Sequence, residues 1–300
     1  MELKGMKRIA FTFALLSLVL GNLLAEENVP ESTSSTIIKN VRTIKSQRFV
    51  RPLVEKWIEE YAKTNPGVTF QIAKGQAESD LSVTIADQQD AKTGNFCHLL
   101  YIGETAVLPI TARSSEAARL LEGKHLNAKK LKQLFFLDDE FAEEDEKRVK
   151  AFENIVVYSG SNASSVASSF AHNFGEESAN FRGKRIVGDD LFLNTAIVKD
   201  PFGVTFNTLP NIFDLQSRLV KSELSLVGLA LKKDQEKSFS DYGTLDEVLS
   251  VLESGKPAEV AVEKVAIAFG NTDEAVDRFL QWVLENGTKY NHQYGLLNLR

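Results

Sequence analysis

From Ile37 to Ile72 the chain reads IIKNVRTIKSQRFVRPLVEKWIEEYAKTNPGVTFQI, and the reading of this stretch decides the fold class. Ile37 to Ile44 is rich in β-branched residues and reads as a strand. Pro52 suits the first turn of a helix, where a missing N–H costs nothing. Leu53, Val54, Trp57, Ile58 and Tyr61 then fall at i, i+1, i+4, i+5 and i+8, one apolar stripe of helical period. Asn65-Pro66-Gly67 stops the helix, and Val68-Thr69-Phe70-Gln71-Ile72 alternates as a strand does. Strand, helix and strand in this order predict a βαβ unit with parallel strands and a right-handed crossover.

The same alternation continues downstream. Leu81 to Ile85 and Leu99 to Ile110 read as strands, the second long and nearly all apolar, as a fully buried strand is. Helices are expected at Ala117 to Leu121 and, capped by Asn127, at Ala128 to Phe135. Asp138 to Lys150 is a charge run without the spacing or glycine of a calcium loop, and reads as a solvated loop or helix. Ile155 to Tyr158 is a further strand, followed by a serine-rich turn and a helix bearing Val166, Phe170 and Phe174. Gly203 to Phe206 and Val260 to Phe269 read as strands, Thr244 to Leu252 and Asp273 to Glu285 as helices. Strands alternating with helices over this length mean an α/β fold.

Upstream, Lys4, Lys7 and Arg8 precede an apolar run from Ile9 to Leu20, and Leu23-Leu24-Ala25 is followed by Glu26-Glu27. A basic start, an apolar centre and a small residue before a polar stretch describe a secretory signal peptide over residues 1–25. The apolar run is shorter than the roughly 20 residues of a membrane span. No cysteine stands nearby for lipid attachment, so the expected product is exported and soluble. Residues 26–36 form a polar lead-in. The whole chain of 300 residues carries a net charge of −6, which becomes −8 once residues 1–25 are removed. That sign gives no general attraction to nucleic acid or anionic lipid. With 43% apolar and 25% charged residues the composition is that of a globular protein, and the length allows about two domains. A single cysteine, Cys97, excludes an internal disulfide and any cysteine-clustered metal site.

Residues able to carry catalysis are dispersed. His98, His125, His172 and His292 share no metal-ligand spacing, and no nucleophile elbow, Walker loop or dinucleotide fingerprint is present. The reading is therefore a non-enzyme without metal or cofactor. Two loop-to-helix junctions carry more information. One is Lys45 to Pro52, with Arg48 and Arg51; the other is Ser159-Gly160-Ser161-Asn162-Ala163-Ser164-Ser165. Unpaired N–H groups at a helix N-terminus, with the positive end of its dipole, attract anions. Alone, the serine-rich stretch also reads as a helix cap in a flexible loop, and the arginines as solvated surface. Together, in different halves of the chain and both after strands, they fit a cleft.

Lys45 to Gln76 resembles the opening of the phosphate-binding periplasmic proteins of ABC importers, with Pro-Leu, a helical Trp and Tyr, and Asn-Pro-Gly-Val in order. Leu126 to Phe135 resembles that family's Leu-x-x-x-x-Leu-x-x-Ile-Phe helix, and Tyr158 to Phe170 its strand, Ser-Gly-Thr turn and Phe-bearing helix. Gly203-Val204-Thr205-Phe206 is similar to its Ile-Gly-Tyr strand, and Phe279 to Leu297 to its closing segment. The resemblance thus spans most of the chain after residue 25.

What the resemblance implies is a two-lobed type II periplasmic-binding-protein fold, mixed sheets flanked by helices, with lobe 1 from residues 37–106 and 260–300 and lobe 2 from 107–259. It further implies a periplasmic monomer that captures phosphate or a related small oxyanion between the lobes for an ABC-type permease. The expected ligand residues are Gln47, Arg48, Phe49, Gly75, Gln76, Thr84, Ser161, Ser164 and Ser165. The family's first Gly-Ser-Thr loop is Ser46-Gln47-Arg48-Phe49 here, and the arginine before the third loop is replaced around Ser159-Gly160. These departures keep open an alternative, a binding-protein scaffold that has lost phosphate and acts as an interaction or sensory protein at the cell envelope. In the first reading Arg48 compensates for the missing arginine.

Overall fold

The computed structural model describes residues 40–75, 78–87, 96–137, 149–161 and 166–299. The βαβ opening forms as β1 (Asn40–Ser46), α1 (Arg51–Thr64) and β2 (Val68–Ile72), with β1 and β2 parallel and Ile44 beside Ile72. The apolar stripe of α1 buries Leu53, Val54, Trp57 and Tyr61, and Ile58 packs at its margin. Tyr61 meets Phe70, Phe279 and Trp282 edge to face, a geometry that aromatic quadrupoles favour.

β3 (Leu81–Ile85) adds to β1 in parallel, and β4 (His98–Ala112) follows, 15 residues long. α2 (Glu116–Leu121) and α3 (Ala128–Phe135) are each capped by a side chain, Ser115 and Asn127, as helix starts require. The charge run beyond Leu137 lies, for residues 138–148, outside the described residues. β5 (Val156–Gly160) starts one residue later than the sequence indicates. α4 (Ala167–Asn173), β6 (Lys184–Ile186), α5 (Leu191–Lys199), β7 (Gly203–Thr208), the single turn α6 (Leu209–Ile212) and β8 (Leu224–Leu226) follow. The chain then makes the short α7 (Lys233–Glu236), α8 (Leu245–Ser254) behind a Thr244/Glu247 capping box, β9 (Ala261–Phe269) and α9 (Glu274–Trp282). The helix expected through Glu285 loosens into a π turn at Val283–Gly287, which brings the Gly287 carbonyl 3.0 Å from Trp57 Nε1.

Among the described residues nine strands form one continuous sheet, in the order β2-β1-β3-β9-β4-β7-β5-β6, with β8 also on β4. β9, nearly the last element, is inserted antiparallel between β3 and β4. β4 pairs with β9 from His98 to Val107 and with β7 from Val107 to Thr111, so it changes partner at Val107. Ahead of that change its second edge is closed by the C-terminal segment. Glu104 and Leu297 exchange both backbone hydrogen bonds at 2.9 Å, and Asn291 Nδ2 donates to the Ile102 carbonyl at 2.8 Å. Gly103 permits this approach, since a Cβ there would stand 2.8 Å from the Leu297 carbonyl oxygen.

Candidate functional site

The register brings four strand ends to one level. β1 and β3 run parallel toward the Gly103–Val107 stretch of β4, and β5 and β7 run toward it from the other direction. Ligand sites in α/β sheets gather at such carboxyl ends. Residues paired across a sheet share a face. Ser46 therefore lies on the same face as Val83 and Ile267, Glu263 on that of Thr105, and Thr208 on that of Val107. Following the two-residue period places Ser46, Glu263, Thr105, Thr208 and Ser159 all on one side of the sheet.

Four of these carry the most informative observation. The hydroxyls of Ser46, Thr105, Ser159 and Thr208 are buried and have no hydrogen-bond partner among the described residues. A buried hydroxyl left unmade costs about 1–3 kcal/mol, so such groups ordinarily find a partner. Thr205 and Thr111, equally buried, do: Thr205 Oγ1 donates to the Tyr158 carbonyl at 2.7 Å and Thr111 Oγ1 to that of Ala112 at 2.8 Å. Thr84 is also buried and unpartnered, but the register sets it on the opposite face.

The first junction adds cationic and backbone donors. The Gln47 N–H donates to the Val83 carbonyl, Val50 and Arg51 close back onto Gln47, and the N–H groups of Arg48 and Phe49 have no partner among the described residues. α1 starts at Val50 without a side-chain cap and carries no acid in its first turn. Lys45, Arg48 and Arg51 are exposed and unpaired among the described residues. Phe49 sends its side chain into the core, so only its backbone is available to a ligand. The half-buried Gln47 side of the turn is engaged with the protein.

The second junction differs from the expected open helix N-terminus. Asp190 Oδ2 accepts the N–H of Val166 at 3.0 Å, so an internal carboxylate already occupies the start of α4. Ser161 donates both its N–H and its hydroxyl to the Ile186 carbonyl, at 3.0 and 3.2 Å. Gly75, in the left-handed region at φ 62°, ends the edge strand β2, three strands away from β9. Gln76, Ser164 and Ser165 lie outside the described residues.

One carboxylate, Glu263, stands on the same face as these hydroxyls. Burial pushes the Glu263 carboxyl up to about 7, helped by the charges of Asp87 and Glu104 and opposed by Lys256. Glu104 is itself paired with Lys256 at 2.8 Å. Below Thr208, Asn207 Nδ2 donates to Asn194 Oδ1 and the Asp190 carbonyl, while its Oδ1 accepts from the Thr208 N–H and Asn211 Nδ2, at 2.8–2.9 Å. This network fixes the end of β7. Thr105, Glu263, Thr208 and Asp190 escaped the sequence reading, and Ser159 entered it only as the start of the second junction. The available signal was the polar pair Glu104-Thr105 inside an otherwise apolar strand. Among the described residues no cluster of His, Cys, Asp or Glu could hold a metal ion. No described helix is long and apolar enough to cross a membrane.

No protein-family model and no curated protein matches the sequence. Solved structures do match. One, from Clostridium perfringens, is assigned as a phosphate ABC transporter substrate-binding protein with bound phosphate. It is 15% identical, covers 87% of this chain and all of its own, and has a TM-score of 0.59. Another, an ABC-type phosphate transport receptor from Vibrio cholerae, is 13% identical over 86% of this chain and 100% of its own, with a TM-score of 0.54. At these identities the likeness establishes the fold, an α/β architecture of the type II periplasmic-binding-protein kind over most of the chain.

Proposed function

We propose that this protein is an exported solute-binding protein that holds a small oxyanion, phosphate among the candidates, where the four strand ends converge. One observation carries the reading: the unpartnered Arg48 and Phe49 N–H groups stand beside unpaired Arg48 and Arg51, at the end of a sheet face bearing four unpartnered hydroxyls. Donors without acceptors are what an oxyanion satisfies. In this reading residues 37–106 with 260–300 form one lobe and 107–259 the other, β4 and β9 cross between them, and closure buries the ligand. Arg48 supplies the charge from lobe 1, Ser159 and Thr208 add hydroxyls from lobe 2, and the closed form engages an ABC-type permease. Residues 1–25 act as the signal peptide, and the permease role is in keeping with the two structural neighbours, both described as transport components.

A second reading has its own support. Asp190 occupies the start of α4, and Glu263, under the charges of Asp87 and Glu104, brings acid to the hydroxyl-bearing face, which disfavours an anion and fits a scaffold that has lost phosphate. Isothermal titration of residues 26–300 with phosphate, after refolding to strip carried ligand, separates the two. A micromolar or tighter constant, about −8 kcal/mol or better, supports the first. No heat at millimolar phosphate, and no shift in melting temperature, refutes it and directs the search to protein partners.

A further inference from the structure

The far end of β4 carries a concavity. Its volume is about 520 Å³, within the range of small-molecule sites, and it lies between α2, the segment from Ser225 to Leu229, and the loop after α7. Arg113, at its wall, stands eight residues beyond Thr105, about 26 Å along an extended chain, so this cavity is separate from the strand-end site. The floor is apolar: Leu121, Val227, Leu229 and Phe239 are buried there. Over them Tyr242 is 88% exposed, an aromatic ring at the rim with little of its surface covered.

The polar groups at this end are unequally used. Asp241 is saturated, accepting the Ser225 hydroxyl at 2.6 Å and the Leu226 N–H at 2.8 Å. Arg113 spends Nε on the Ser222 carbonyl at 2.9 Å and stands 3.4 Å from Asp241 through Nη1, leaving Nη2 without a partner among the described residues. The Lys124 ammonium, on the same lining, has no partner among the described residues either. Glu236 is engaged by His125 at 3.3 Å. Beside Arg113, Ser114 is held at φ 59°, a left-handed conformation a serine rarely adopts and which neighbouring structure must sustain.

We propose that this cavity binds a small monocarboxylate with an aromatic or branched apolar body, the carboxylate on Arg113 and the body on the Phe239 and Leu229 floor. The spare guanidinium donors match a carboxylate, and the apolar floor supplies affinity that a bare anion would not gain. The proposal is independent of what the strand-end site holds.

Phenylacetate is the probe, followed by chemical-shift changes in the labelled protein and by saturation transfer, with 2-phenylethanol as the uncharged control. Saturable binding at or below about 10 mM is expected, with 2-phenylethanol weaker by at least about tenfold. Arg113→Gln is expected to weaken phenylacetate by a similar factor, and Ala118→Phe, which projects a ring from the partly exposed face of α2, to abolish it. Thermal melting of both variants checks that they fold. Phosphate is expected not to compete. Equal binding of acid and alcohol, binding that survives both substitutions in folded protein, or no saturable shift at all overturns the proposal.

Discussion

Replacing Glu263 by Gln tests the acid on the hydroxyl-bearing face directly. The folded chain holds the Glu263 proton up to about 7, against 4.5 for an unperturbed carboxyl. Between those values the native state carries more protons than the unfolded state, so stability falls as pH rises and levels off above the folded value. At 1.36 kcal/mol per pKa unit the full effect would be about 3 kcal/mol. Solvent reaches this half-buried side chain and screens it, which leaves about 1–2 kcal/mol. Gln keeps the shape and cannot ionise. The variant is therefore expected to melt with the parent near about pH 5, and about 3–5 °C above it near about pH 8.5. The assay is thermal unfolding of both proteins across that range, without ligand. A companion titration with sulfate, whose charge is constant over these pH values, should show the variant binding more tightly at the alkaline end only. Melting curves that stay parallel at every pH would refute the burial of Glu263 among like charges.

Two further substitutions probe the donors and the frame. Arg48→Ala removes an exposed, unpaired guanidinium, so the melting temperature should hold while phosphate affinity falls about 10- to 100-fold, the worth of a charge-assisted hydrogen bond; unchanged titration removes Arg48 from the site. Gly103→Ala sets a Cβ against the Leu297 carbonyl and Asn291 Nδ2, and the overpacking should cost about 1–3 kcal/mol, a drop of about 3–10 °C by calorimetry. A melting temperature equal to the parent's would mean that the C-terminal segment is not seated on β4.

Local signals made much of the frame legible. The stripe on α1, the cap Asn127 and the long apolar β4 each announce their element within a short window of sequence. α5 was missed because it is apolar on several sides: Phe192 and Val198 are exposed while Asn194 is buried, the reverse of an amphipathic pattern. β6 and β8, three residues each, are too short to show a period. The site was less legible than the frame because register, rather than spacing, assembles it. Thr105 meets Glu263 across 158 positions of chain, and nothing near either residue names the other. Likewise no local rule places Asp190 on the start of a helix 24 residues earlier.

The late position of β9 bears on how such a chain is made. The strand that joins β3 to β4 is residues 261–269, and the β4 edge at Ile102 to Glu104 is closed by Asn291 and Leu297. Until those residues leave the ribosome, two strand edges stay open and every pairing across the centre spans a very long stretch of chain, which slows folding. Completion of the sheet is thereby deferred until those late residues are available. On the exported reading proposed above, that delay favours a chain still unfolded when it meets a translocation pore, with the sheet completed on the far side of the membrane.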